Sequence, residues 1–135
     1  MRDVDIAYLA GFVDGDGGMN ICLHMGRYHR LQLEAATTEK TVPEWIHSKY
    51  GGTLNHRVRT GKYKDVFRWI VHSKQAEKVL RDILPFLRIR KRQAELALEF
   101  RETKVKRGQR VSNELWEKRE NIRKQISQLN RGGVS

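Results

Sequence analysis

Cysteine occurs once in these 135 residues, as Cys22, so no disulfide can form within the chain. Burial and hydrogen bonding must hold the fold, and the lone thiol fits a reducing compartment such as the cytosol, an organelle or a phage-infected cell. Proline occurs twice, at Pro43 and Pro85, which excludes a proline-rich linker. No apolar run approaches the length of a membrane span. The first twelve residues carry Asp3 and Asp5 and lack a long apolar core, so no secretory leader is expected. The five histidines show no zinc-ligand spacing, and no phosphate-cradling loop, dinucleotide fingerprint or Ser-His-Asp set occurs. Acid is also scarce: 16 Asp and Glu face 27 Lys and Arg, a formal charge of +11. That excess attracts a polyanion. Its basic residues are spread along the chain rather than stacked on one amphipathic helix, which favours nucleic acid over a membrane surface.

With 39% hydrophobic and 32% charged residues the chain is globular, and its length suits a single domain over residues 1–135. Residues 5–14 read as a helix stopped by glycines at 15, 17 and 18. Two strands follow by period two. The first turns Met19, Ile21, Leu23 and Met25 inward; the second, past Gly26, turns in Leu31, Leu33 and Ala35. A helix starts at Thr41, where Glu44 three residues on makes a capping box, and ends at Gly51-Gly52. Across a turn at Gly61-Lys62 a second strand pair turns in Leu54 and Val58, then Phe67, Trp69 and Val71. Ser73 reads as the cap of a helix with the stripe Ala76, Val79, Leu80, Ile83 and Leu84. A basic link leads into a helix through about Val105. Past Gly108, Ser112 starts a charged helix whose stripe is Leu115, Ile122, Ile126 and Leu129. Trp45, Trp69 and Trp116 read as packing residues. The order implies an α+β fold: an αββαββα core over about residues 5–105, its antiparallel sheet covered on one face, with a helical extension over about 106–135.

The first helix says most. Ile6, Leu9, Ala10 and Val13 form a core stripe, while Ala7, Gly11 and Gly15 form a second face at spacing four. Glycine inside a helix costs about 1 kcal/mol relative to alanine, so a stripe of it needs a reason. Such small side chains let another helix approach closely, and in a soluble chain the partner expected is a second copy about a two-fold axis. Beyond the stripe, Asp14 and Asp16 stand where the helix dipole disfavours negative charge. A carboxylate held there calls for a cation, and oxygen ligands suit a hard divalent ion.

Residues 9–17, Leu-Ala-Gly-Phe-Val-Asp-Gly-Asp-Gly, resemble the LAGLIDADG motif, with six of nine positions identical. The element order over 5–105 is similar to that family's core, and Leu84-Pro85-Phe86-Leu87 followed by basic residues resembles its single-motif, homodimeric members. No second copy of the motif occurs. The resemblance implies a saddle-shaped sheet facing DNA, and site-specific cutting of a long double-stranded target in the service of intron or intein mobility. It implies that Asp16, helped by the Gly15 carbonyl, binds catalytic Mg2+ or Mn2+, and that Asp14 is a structural or polar interface residue. Glu39 resembles a position often held by glutamine; it can orient water or metal, or only cap the helix that follows. Arg90 resembles a lysine placed near the scissile phosphate, with Lys91 adjacent. Arginine cannot act as a base but can stabilise phosphate charge.

Base reading is expected from the outward strand face: Asn20, His24, Arg30, Gln32, Glu34, Asn55, Arg57, Arg59, Lys64 and Arg68. Arg88, Lys91 and Arg92 suit phosphate contacts. The alternative reading is a non-catalytic relative that binds intron RNA or regulates transcription.

Overall fold

The computed structural model describes residues 1–103, 105 and 108–132. Its elements are α1 (Asp3–Asp16), β1 (Gly17–His24), β2 (Tyr28–Thr37), α2 (Thr41–Tyr50), β3 (Thr53–Arg57), β4 (Val66–His72), α3 (Ser73–Ile83), α4 (Lys91–Arg101) and α5 (Asn113–Gly132). A 3-10 turn, Leu84–Phe86, joins α3 to the segment before α4. The strands form one antiparallel sheet in the order β1-β2-β4-β3. The α+β reading and the αββαββα order therefore hold.

Alternation decides which face is covered. Met19, Ile21, Leu31, Leu33, Ala35, Trp69 and Val71 point inward and are buried against Leu9, Ala10 and Val13 of α1, the α3 stripe and Ala94, Ala97 and Phe100 of α4. Each apolar side chain removed from water contributes about 1.5–3 kcal/mol, so this face is what the helix layer is held to. Trp69, the largest buried side chain, satisfies its indole by donating from Nε1 to the Gly51 carbonyl at 2.8 Å. Gly51 and Gly52 have φ of 73° and 96°, and a Cβ at Gly52 would lie 2.5 Å from the Ile70 carbonyl, so glycine there serves both turn and packing.

Several local expectations are corrected. Helix α1 does not stop at Asp14: Gly15 is helical and the break falls at Gly17. Leu23 and Met25 are exposed rather than buried: Leu23, opposite His29, lies at the uncovered end of the inward face, and Met25 and Gly26, both with positive φ, lie in the connection between His24 and Tyr28, where the Arg27 N–H donates to the His24 carbonyl. Val58 is also exposed, since β3 ends at Arg57. The Thr41 capping box does not form; Thr41 is already helical, and its amide and hydroxyl both donate to Glu39. Ser73 is not the cap of α3 but its first residue; His72 stands at the cap position and makes no side-chain cap bond. Helix α4 ends at Arg101 rather than near Val105. Ser112 does cap α5, accepting from the Leu115 amide at 3.1 Å.

The extension belongs to the same core. Ile122 and Ile126 of α5 are buried, and Asn130 donates to the Met19 carbonyl at 2.9 Å. Between them, α5 covers His29, an inward residue of β2 whose side chain is wholly buried. Its Nε2 lies 2.7 Å from Glu120, which also takes two bonds from Arg123, and its ring packs 4.4 Å from that of Trp116.

Candidate active site and nucleic-acid interface

The end of α1 is built from its own sequence and from the segment before α4. Asp14 accepts the backbone amides of Arg88 at 2.8 Å and Arg90 at 2.9 Å. Arg90 in turn donates from Nε to the Val13 carbonyl at 3.2 Å. A cation is thus placed on the negative end of the helix dipole, which offsets the two carboxylates there. The two bonds to Asp14 tie the end of α1 to the segment before α4. Gly17 has to be glycine, because a Cβ would meet the Glu34 carbonyl oxygen at 2.9 Å and Val13 Cα at 3.0 Å, both backbone atoms. That close approach lets β1 leave the helix directly and pair Gly17 with Ala35.

Asp16 is exposed, and its carboxylate has no partner among the described residues. Beside it Gly15 is equally exposed, and the last carbonyls of a helix have no intrahelical donor. One carboxylate and one or more free carbonyls are oxygen donors of the kind a hard divalent cation takes. No group of three metal-ligating side chains occurs among the described residues.

The stripe beside it is open. A Cβ built on Gly11 or on Gly15 would meet nothing within 4 Å, so no residue of the chain itself requires glycine there. The stripe borders a groove of about 520 Å³ between Ala7, Gly11 and Asp14 on one side and Pro85, Phe86, Leu87 and Arg88 on the other. Val4 and Tyr8 continue α1's exposed surface.

Of the other two catalytic candidates, Arg90 is tied to α1 directly. Glu39 is tied instead to the start of α2: its carboxylate holds the Thr41 amide at 3.3 Å and hydroxyl at 3.0 Å. The register nevertheless brings Glu39 to the same end of the sheet, since β2 leaves through Thr37 just past the Gly17–Ala35 pair.

The outward face presents rows set by register. Asn20, Gln32 and His72 lie across three strands; Glu34 pairs with Ile70, and Asn55 with Arg68. Polar side chains join the rows. His72 Nε2 lies 3.1 Å from Gln32 Oε1, Gln32 Nε2 donates to Glu34 at 3.0 Å, and Arg68 donates to Glu34. Asn20, His24, Asn55 and Arg57 are exposed, while Arg30 is half-buried with its Nε buried and unpartnered. A buried unsatisfied donor invites an acceptor that is not in the chain. Arg59 and Lys64 fall outside the strands, contrary to expectation. They lie in the segment between β3 and β4, where Arg59 packs over Tyr63 and its amide donates to Asp65 at 3.1 Å. Asp65 also pairs with His56 at 2.9 Å; that bond, followed by the Arg59 amide, holds its carboxyl below the ordinary range. Arg88, Lys91 and Arg92 are exposed.

The sequence reading missed His72. Its signal was the unbroken alternation Arg68, Ile70, His72, obscured by reading Ser73 as the helix start. Burial, then the charges of Arg30 and His24, push its pKa down, so His72 is neutral where it stands.

No family model matches the chain. It is 31% identical over 103 residues to DNA endonuclease I-CreI of Chlamydomonas reinhardtii, an alignment covering 70% of this chain and 61% of the relative. The chain thus spans about three-fifths of that relative's length. The homing endonuclease I-CvuI, solved with its target in the presence of calcium, superposes with a TM-score of 0.73 at 21% identity, over 96% of this chain and 84% of that one. The LAGLIDADG homing endonuclease I-SmaMI, bound to cleaved DNA, gives 0.69 at 15% identity, over 96% of this chain and 45% of that one.

Proposed function

From the premise that this chain is a single-motif LAGLIDADG protein, we propose that it is a homing endonuclease, hydrolysing phosphodiester bonds at one long double-stranded DNA site as a metal-dependent homodimer. The observation that carries the reading is the end of α1. An exposed carboxylate without a partner among the described residues stands beside a helix face left open by two glycines. Packing that face against its copy completes an isologous interface and brings two Asp16 carboxylates to its base.

Asp16, with the Gly15 carbonyl, would hold Mg2+ or Mn2+, which would supply an activated water and neutralise charge on the leaving oxygen. Asp14 fixes the backbone of residues 88–90 and so sets where Arg90 stands. A guanidinium donates and does not accept, so Arg90 neutralises phosphate charge rather than taking a proton from water. Glu39, exposed at the same end of the sheet, accepts from the first amide of α2 and is assigned to orient solvent there. The outward residues of β1, β2, β3 and β4 follow the major groove, which admits a β-ribbon, while Arg88, Lys91 and Arg92 hold phosphates.

The deciding experiment is single-turnover nicking by Asp16→Asn on a site selected from a plasmid library with Mg2+ or with EDTA. Asparagine keeps the size of the side chain and removes its charge, so cutting should fall at least a thousandfold (about 4 kcal/mol or more) while binding persists. A variant that cuts at the wild-type rate places the chemistry elsewhere. A wild type that binds specifically and cuts nowhere makes the chain a non-catalytic binder.

A further inference from the structure

Gln32 stands at the centre of the outward face, and its amide can present either of two orientations to a base edge. A glutamine free to flip offers donor and acceptor in either order and discriminates poorly. Here both ends of the amide are occupied, by side chains from different parts of the sheet. Glu34, next outward on β2 and bonded to Arg68 of β4, is a carboxylate that accepts, so the group facing it has to be the Gln32 nitrogen, at 3.0 Å. The carbonyl oxygen is thereby turned to His72 on β4, whose Nε2 lies 3.1 Å away. An oxygen there accepts, so the imidazole carries its proton on Nε2. The neutral ring has one N–H, and Gln32 claims it.

We propose that His72 is a specificity-determining positioning residue: Glu34 fixes the nitrogen end of the Gln32 amide, and His72, donating from Nε2, holds the oxygen end, so that a single base pair is read with donor and acceptor in fixed order. The amide keeps one N–H and one carbonyl lone pair for DNA, the pair that adenine's N7 and N6 amino group take in the major groove. The inference rests on the DNA-reading role of this face proposed above. His72 precedes α3 and gives that helix no side-chain cap, so its ring is not held by the helix end.

The test uses the full chain on a randomised duplex library under EDTA, followed by all single-base substitutions of the site that wild type enriches. Gln32→Ala should flatten preference at one position. His72→Leu and His72→Phe, which keep bulk and remove the donor, should flatten the same position by about tenfold; either one suffices if the other does not fold. The double variant His72→Leu with Gln32→Ala should lose no more than Gln32→Ala alone. His72→Gln, which restores an N–H donor, should regain the preference, which a merely structural role would not predict. If the His72 variants leave that position unchanged, or flatten another, the inference is overturned while the function stands. A wild type that enriches no sequence overturns the function and the inference together.

Discussion

At the scale of single residues, the two acids closing α1 differ by what meets them. Asp14 accepts two amides from another element, whereas Asp16 meets none of the described residues. Asp14→Ala leaves the amides of Arg88 and Arg90 without their acceptor and should lower stability by about 1–3 kcal/mol, read by urea unfolding. Cleavage should fall as well, because Arg90 loses its anchor; a variant as stable and active as wild type would remove Asp14 from the framework. The motif itself made both acids legible, and the helix dipole made them suspicious. Which one is structural could not be derived from residues 9–17, because its partners lie over seventy positions away in the chain. His72 was hidden for the same reason: its meaning comes from Gln32, forty residues earlier.

At the scale of elements, α1 gives the sharpest expectation. Leucine at Gly11 points into open space within its own chain, so Gly11→Leu should leave the protomer folded and no less stable, glycine being about 1 kcal/mol poorer than alanine in a helix. It should nonetheless abolish the dimer in sedimentation. A dimeric Gly11→Leu would move the interface off this stripe. Helix α5 makes a second prediction, in acid. Glu120's carboxyl is held down to about 2, first by its bonds to Arg123 and then by His29. A carboxyl lowered in the fold contributes stability that is complete above its unfolded pKa and is lost as pH falls through the range down to about 2. Urea midpoints stepped through pH 5 to 2 should therefore drop for wild type, and Glu120→Gln should show a shallower slope there; equal slopes would mean the pair does not hold α5.

The whole molecule is a sheet with helices on one side and charge on the other. On the proposed reading, its net charge of +11 should make affinity for DNA fall steeply with salt. Arg88 is bound through its backbone, so Arg88→Ala removes an exposed cation without disturbing Asp14. It should weaken all sequences alike and reduce the salt slope by about one. Arg57→Ala, on the outward face of β3, should instead relax preference at particular positions by about 1–3 kcal/mol. Binding profiles at two salt concentrations separate the two behaviours, and identical ones would show that the docking surface is misassigned.

Periodicity was enough to order the elements, because burying one face imposes period two on a strand and about 3.6 on a helix whatever lies opposite. That is why the inward residues of β2 and α3 read correctly in advance. It failed where the chain leaves the core: at Leu23, Met25 and Val58, apolar side chains follow the pattern past the last residue that the helices cover. Caps failed at Thr41 and Ser73, since a neighbouring carboxylate or a strand end can take the place a local motif suggests. The motif, the charge and the element order thus came from residues adjacent in sequence. The role of Asp14, the capping by Glu39, the coverage of His29 by α5 and the tie between Gln32 and His72 were decided only by tertiary structure, because each depends on hydrogen-bonding partners that the register and the helix packing bring together.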